Sequence, residues 1–286
     1  MPATGARRRP ARRSSRRSTQ VRRNSLVVAW IVVAAVLAVL VIGGPLGSWG
    51  TWLPLHALML GGIGSAITVW SAHFADTLLH RPALGGAALL DARLYAHGAG
   101  TALVLAGITA NVSALAVAGV TIVALAALTG VVAISVQYRR AVAPRLAALA
   151  IHYAVALTLL ALGAALGYLT SWSESRGRAH LSDIFYVAHT TTMLLGFVGT
   201  TVLGTLTVLW PTMLRTKMEP EAPRWTTRGL PLLVTGTALV ATSGLLAPLA
   251  ALGAVVYLAG ACGVIVPAVK TARRVPPTSF ATASAT

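Results

Sequence analysis

The stretch LAVAGVTIVALAALTGVVAISV, residues 115–136, decides the fold class. It carries no acid, base or proline, and Arg139 and Arg140 follow just beyond its end. The hydrocarbon core of a bilayer takes about 20 helical residues to cross, and this run has that length. It shows none of the period-two alternation of a barrel strand, so it reads as a transmembrane helix.

Seven further runs of the same kind surround it: Ser25–Ile42, Trp52–Phe74, Tyr95–Asn111, Leu146–Thr170, Ile184–Trp210, Leu230–Leu246 and Leu249–Val269. The expected fold is therefore all-α, a polytopic membrane bundle of about eight transmembrane helices. Only Ala247-Pro248 separates the last two runs, and a single kinked helix is the alternative there. Composition agrees: hydrophobic residues make up 56% and charged ones 10% of 286 residues, with a mean hydropathy of +0.76. Soluble domains carry about 25% charged residues, so lipid must solvate most of this chain.

The bases set the orientation. With the N-terminus inside, twenty-one lysines and arginines fall on inner segments, and only Arg176 and Arg178 on outer ones. The positive-inside rule then places both termini in the cytoplasm of a plasma (inner) membrane protein. Nine of the bases lie between Arg7 and Arg23. Residues 1–24 read as a basic, disordered cytoplasmic tail, 25–270 as the transmembrane bundle, and 271–286 as a second disordered tail. The net charge of +17 is thus topogenic and calls for no nucleic acid. The apolar run after the basic tail is too long for a cleavable signal and is expected to stay as an anchor. The single cysteine, Cys262, excludes an internal disulfide and a cysteine-rich metal site.

Orientation sorts the histidines by depth. His56 and His189 lie four and five residues into two helices that descend from the outer face, roughly 6–8 Å below it. Two imidazoles at one depth suit the axial positions of a b-type haem. Glycines follow each: Gly61, Gly62 and Gly64 after His56, and Gly196, Gly199 and Gly204 after His189. They leave room beside a porphyrin, or simply let helices pack closely. The other readings of the pair are hydrogen bonding to a neighbouring helix and an interfacial position without a role.

His73, His97 and His152 form an inner set. They suit a second bis-histidine haem, His97 with His152, or a copper site that includes His73. His73 is otherwise an interfacial residue paired with Asp76. His80 and His180 are expected in solvated loops. Met59 and Met193 follow His56 and His189 at i+3 and i+4, and read as ordinary core residues. His56-Ala-Leu-Met-Leu-Gly61 and His189-Thr-Thr-Thr-Met-Leu-Leu-Gly196 make a weak internal repeat. No acid or base is expected in the middle of a span, and hydrolase and nucleotide-binding motifs are absent from the sequence.

The segments Trp52–Gly62, Val69–Asp76 and His189–Thr216 resemble the membrane-spanning N-terminal part of multicopper oxidase/copper nitrite reductase-like fusion proteins. That part is in turn distantly similar to haem–copper oxidase subunit I-like proteins. The resemblance covers most of residues 25–270, and His56, His73 and His189 fall on its motif; His97 and His152 are placed by spacing alone. The fusions carry His-x-His and His-Cys-His copper ligands in a cupredoxin part, and this sequence contains neither. The resemblance therefore implies no oxidase or reductase activity, and no complete catalytic motif marks an enzyme. It implies a membrane module that binds haem b, with copper as a further possibility, and serves an outer-face copper protein or the quinone pool. The rival expectation is a non-redox membrane protein, either a small-solute permease or an assembly scaffold for a copper enzyme.

Overall fold

The computed structural model describes residues 11–141 and 144–274. Among these residues all regular structure is helical, and six helices are long and apolar enough to cross a membrane: Ser18–Ile42, Trp52–Leu79, Ser113–Arg139, Ala150–Ser175, Ala179–Met213 and Pro248–Arg273. This is the helical bundle of a multi-pass membrane protein. A helix pairs most of its backbone donors and acceptors within its own segment, which is what lipid demands of a span.

The chain divides into two units at Val69/Trp70. In the first, α1 (Ala11–Ile42) runs unbroken from the arginine-rich segment into the first apolar run. Residues 11–24 are therefore helical where the sequence suggested disorder; no glycine or proline interrupts them. Residues 1–10, and 275–286 at the other end, lie outside the described residues. A short connection leads to α2 (Trp52–His56), then to a π-helical stretch (Ala57–Ile63) and into α3 (Gly64–Leu79). Trp30 of α1 seats its indole on Gly61, where a Cβ would stand 2.5 Å from the ring.

The second unit holds the rest of α3, then α4 (Gly86–Thr109), α5 (Ser113–Arg139), α6 (Pro144–Ala147), α7 (Ala150–Ser175), α8 (Ala179–Thr191), a second π-helical stretch (Thr192–Gly199), α9 (Thr200–Met213), α10 (Ala222–Ala241) and α11 (Pro248–Arg273). His80, Asn111 and Arg215 adopt positive φ, at 51°, 55° and 50°, where α3, α4 and α9 end in left-handed caps. The helices pack as successive antiparallel neighbours: α4 on α5, α5 on α7, α7 on the α8–α9 segment, and α10 on α11. Glycines set these seams. On α4 and α5, Gly100 meets Val123, and Gly119 meets Val104. On α10 and α11, Gly229 meets Gly260, and Gly253 meets Val240. Small residues at such contacts let backbones approach where lipid supplies no hydrophobic force between helices.

One open alternative closes and one expected boundary moves. The last two runs are separate antiparallel helices, and residues 242–247 form the turn between them, which removes the kinked-helix alternative. α4 begins at Gly86, nine residues before the expected start at Tyr95, and so carries Asp91 and Arg93 within the helix. The two charges had masked a helix that the backbone continues through. α4 and α10 are as long as spanning helices, at 24 and 20 residues, yet are less apolar than the six.

Candidate functional site

His56 and His189 occupy equivalent places in their helices. Each closes or nearly closes an α-helical segment that passes directly into a π-helical stretch rich in glycine. An inserted π turn shifts the helix face by one residue and frees a carbonyl, and such turns concentrate at functional sites. In the second stretch the carbonyl of Leu195 accepts a hydrogen bond from the Tyr257 hydroxyl at 3.1 Å.

Both imidazoles are held through the same nitrogen. His56 Nδ1 lies 2.8 Å from the carbonyl oxygen of Trp52, and His189 Nδ1 lies 2.8 Å from that of Gly163. A carbonyl only accepts, so Nδ1 carries the proton in each and Nε2 keeps the ring lone pair. Histidines that bind metal are oriented in this way, by a backbone carbonyl on the far nitrogen. The anchors differ in origin. The His56 bond stays within its own turn, and its ring stacks on Trp52 at 4.5 Å between centroids. His189 crosses to α7 and lies over Gly167, where a Cβ would stand 2.8 Å from Nδ1.

The α7 seam orders the second unit's site residues. Gly167 lies against His189, Gly163 against Met193, and Gly204 against His152, an antiparallel register that holds over the whole contact. His152 and the residue facing His189 are fifteen positions apart on α7, roughly 22 Å along the axis. The two imidazoles thus sit toward opposite ends of one helix pair. His152 is fully buried, and neither of its ring nitrogens has a hydrogen-bond partner. The backbones of Leu149 and Thr226 border the ring without bonding geometry. One turn from Gly204, the buried hydroxyl of Thr200 also lacks a partner, whereas Thr201 and Thr205 bond the carbonyls four residues back at 2.7 Å.

The remaining histidines separate. His97 is buried on α4, on the stripe that packs against α5, while His152 faces α9 and α10. His73 is exposed, edge-on to Trp70 at 5.6 Å; Asp76 accepts instead from Gln137 Nε2 at 2.7 Å. His80 and His180 are exposed. Among the described residues no three His, Cys, Asp or Glu side chains gather closely enough to hold a metal ion.

Arg93 is the residue that the sequence reading missed. Read as a loop base, it is a helical side chain only 5% exposed. Its Nε donates to the carbonyl of Ala126 on α5 at 3.0 Å. Its spacing of four from His97 was the available signal, since it puts both side chains on one face. The Gly163-x-x-x-Gly167 spacing likewise marked the surface on which His189 rests.

Comparison with family models, with curated proteins and with solved structures found no match to this chain.

Proposed function

We propose that this protein is an integral membrane redox module that binds haem b through His56 and His189 and passes electrons to an outer-face partner or to the quinone pool. The observation that carries the reading is the shared tautomer: each imidazole gives its Nδ1 proton to a backbone carbonyl and so keeps its lone pair on Nε2. Each imidazole thus offers a neutral nitrogen donor of the kind a b-type haem takes. When bound, the haem supplies one-electron chemistry. The chain's own part is to orient the two rings and to exclude water with the apolar faces around them; the glycines of the two π-helical stretches receive Trp30, Ile31, Leu159 and Tyr257. The resemblance to the membrane part of multicopper oxidase-like fusions supports the same reading, with copper as the other metal that imidazole suits. His97 and His152 are kept as two separate inner candidates, since they face different helices, with His73 nearer the surface.

The topology that goes with this function has eight spans, α4 and α10 included, both termini cytoplasmic and the bundle in the plasma (inner) membrane, as the arginine asymmetry requires. Reporters fused after Lys270 and within residues 171–183 then report opposite sides. The experiment that tests the function is the reduced-minus-oxidised spectrum of protein purified from haem-replete cells. A sharp b-type α-band that His189→Ala weakens and His80→Ala leaves intact supports the reading; a colourless, metal-free preparation overturns it. One observation favours a second reading, a small-solute permease: Arg93 is a buried cation on a helix of the bundle, and such residues mark solute pathways.

A further inference from the structure

We propose that Tyr257 of α11 is a positioning residue for His189: its hydroxyl holds the second π-helical stretch in register, and that register sets the face that α8 turns toward α7. The hydroxyl donates to the carbonyl of Leu195 at 3.1 Å, within the stretch Thr192–Gly199. It also fills the place that a Cβ on Gly199 would take. The ring reaches this point because α11 passes close to α10. Gly236 has no side chain, and a Cβ there would stand 2.7 Å from the Cα of Tyr257. One side chain from a third helix therefore occupies both a carbonyl and a glycine notch of the same π-helical stretch.

Each partner of this contact meets a need of the other. A tyrosine hydroxyl within a span needs an acceptor, because lipid offers none. A π turn holds one residue more than an α turn, is rare for that reason, and persists where its surroundings over-determine it. Were the stretch to relax to α-helix, one residue would leave the turn, and α8 would rotate against α9 by about one position, roughly 100°. That rotation carries His189 Nδ1 away from the carbonyl of Gly163 and the ring out of the notch at Gly167. α9 stays where it is, because Gly204 is seated on His152 and Thr207 is bonded to Thr226. Tyr257 thus acts on His189 through the register of the stretch. What the position serves rests on the haem reading of His189; the register lock itself does not.

The test uses full-length protein from haem-depleted cells, in maltoside detergent. Hydrogen exchange followed by mass spectrometry reads the amides of Thr192–Gly199. Nitrogen-15 spectra of histidine-labelled protein read the ring tautomers, with the His189 signal assigned by its loss in His189→Gln. Tyr257→Phe keeps the ring and removes the hydroxyl. It speeds exchange in the stretch by about threefold to twentyfold, the range that interhelical bonds in membranes span, and it releases His189 from the single Nδ1-protonated form. Exchange in the first π-helical stretch, Ala57–Ile63, and the His56 signal stay as in the wild type. Gly199→Ala supplies the second variant. It lowers the melting temperature of the wild type, and lowers that of Tyr257→Phe less, because the collision is with the hydroxyl and the ring carbon behind it stands 3.6 Å away. A colourless preparation from haem-replete cells removes the haem reading and leaves these outcomes standing. The positioning role is overturned if Tyr257→Phe lowers the melting temperature but leaves the exchange and the His189 tautomer unchanged, which is what packing alone would do. It is overturned equally if Gly199→Ala costs the same with and without the hydroxyl.

Discussion

His56 and His189 present the same tautomer on the same kind of helix, yet only one of them depends on tertiary structure. His56 is tied to Trp52, four residues earlier, and stacks on that residue's ring. Its orientation is written into one turn of helix. His189 is tied to a carbonyl on another helix and rests in a notch made by the absence of a side chain at Gly167. The glycine below His56 has a different use: Gly61 receives Trp30 of α1. One sequence pattern, a histidine followed by glycines, thus orients an imidazole locally in the first unit and through helix packing in the second.

The largest expected effect breaks that packing. Gly167→Leu puts a branched side chain where the His189 ring lies, and overpacking of this kind costs about 1–3 kcal/mol. The melting temperature falls, and on the proposed haem reading the α-band falls with it. Gly61→Leu displaces Trp30 and lowers stability by a comparable amount, but leaves the His56–Trp52 bond alone, so the band survives. If Gly61→Leu abolishes the band and Gly167→Leu spares it, the contrast between the two regions is wrong.

The second effect has the opposite sign. His152 lies on the same seam as His189 but has no hydrogen bond at either nitrogen. A buried polar group without a partner costs about 1–3 kcal/mol. His152→Phe, close in shape and apolar, therefore raises the melting temperature of cofactor-free protein, whereas His189→Phe lowers it. A fall with His152→Phe would show that the ring is hydrogen-bonded by the protein itself, at the backbones of Leu149 or Thr226 that border it.

Much of this arrangement was legible in the sequence, and what was not has a physical reason. The helices followed from apolar runs bounded by bases, because lipid imposes one length and one polarity on a span. His56 lies four residues into its helix as the boundary at Trp52 implied, whereas the helix of His189 begins at Ala179, five residues before the expected Ile184. Arg93 was missed, because the rule that places bases at the ends of runs pulled the start of α4 forward to Tyr95. Asp91 and Arg93 interrupt hydropathy without interrupting the backbone hydrogen bonds. The π-helical stretches left no signature either: Leu58 to Gly62 and Met193 to Gly196 read as ordinary helix, and the extra residue per turn comes from packing. Nor did sequence distinguish the glycines. Gly163, Gly167 and Gly204 each receive a particular side chain, while Gly229 and Gly260 receive each other's backbone, and only the seam register separates the two uses.

A smaller effect separates the two anchors directly. Removing His189 forfeits an interhelical hydrogen bond, and in membrane proteins such bonds average about 0.6 kcal/mol with a maximum near 1.7. His189→Ala should destabilise by that amount when cofactor-free protein is melted. His56→Ala should change stability less, because its bond is made within a turn that the backbone already holds. Equal losses would mean that the His56 ring is also part of a tertiary contact.

The smallest effect concerns the polar contact beside His152. Thr207 on α9 and Thr226 on α10 share a hydrogen bond of 2.8 Å between buried hydroxyls. Thr207 also lies 3.5 Å from the carbonyl of Leu203, four residues back, which is too long to hold the hydroxyl. The pair therefore bridges the helices and does not merely decorate one of them. Thr207→Val keeps the volume and removes the donor, and costs about 0.6 kcal/mol by the same measure of interhelical bonds. The Thr226 hydroxyl then turns to its own helix, as threonines on α9 and α10 do at 2.7–2.8 Å, which holds the loss near that value. Thr226→Val costs a similar amount, and the double variant costs little more than either alone. Additive losses would show that the two hydroxyls act separately, and that α9 and α10 are joined beside His152 by packing alone.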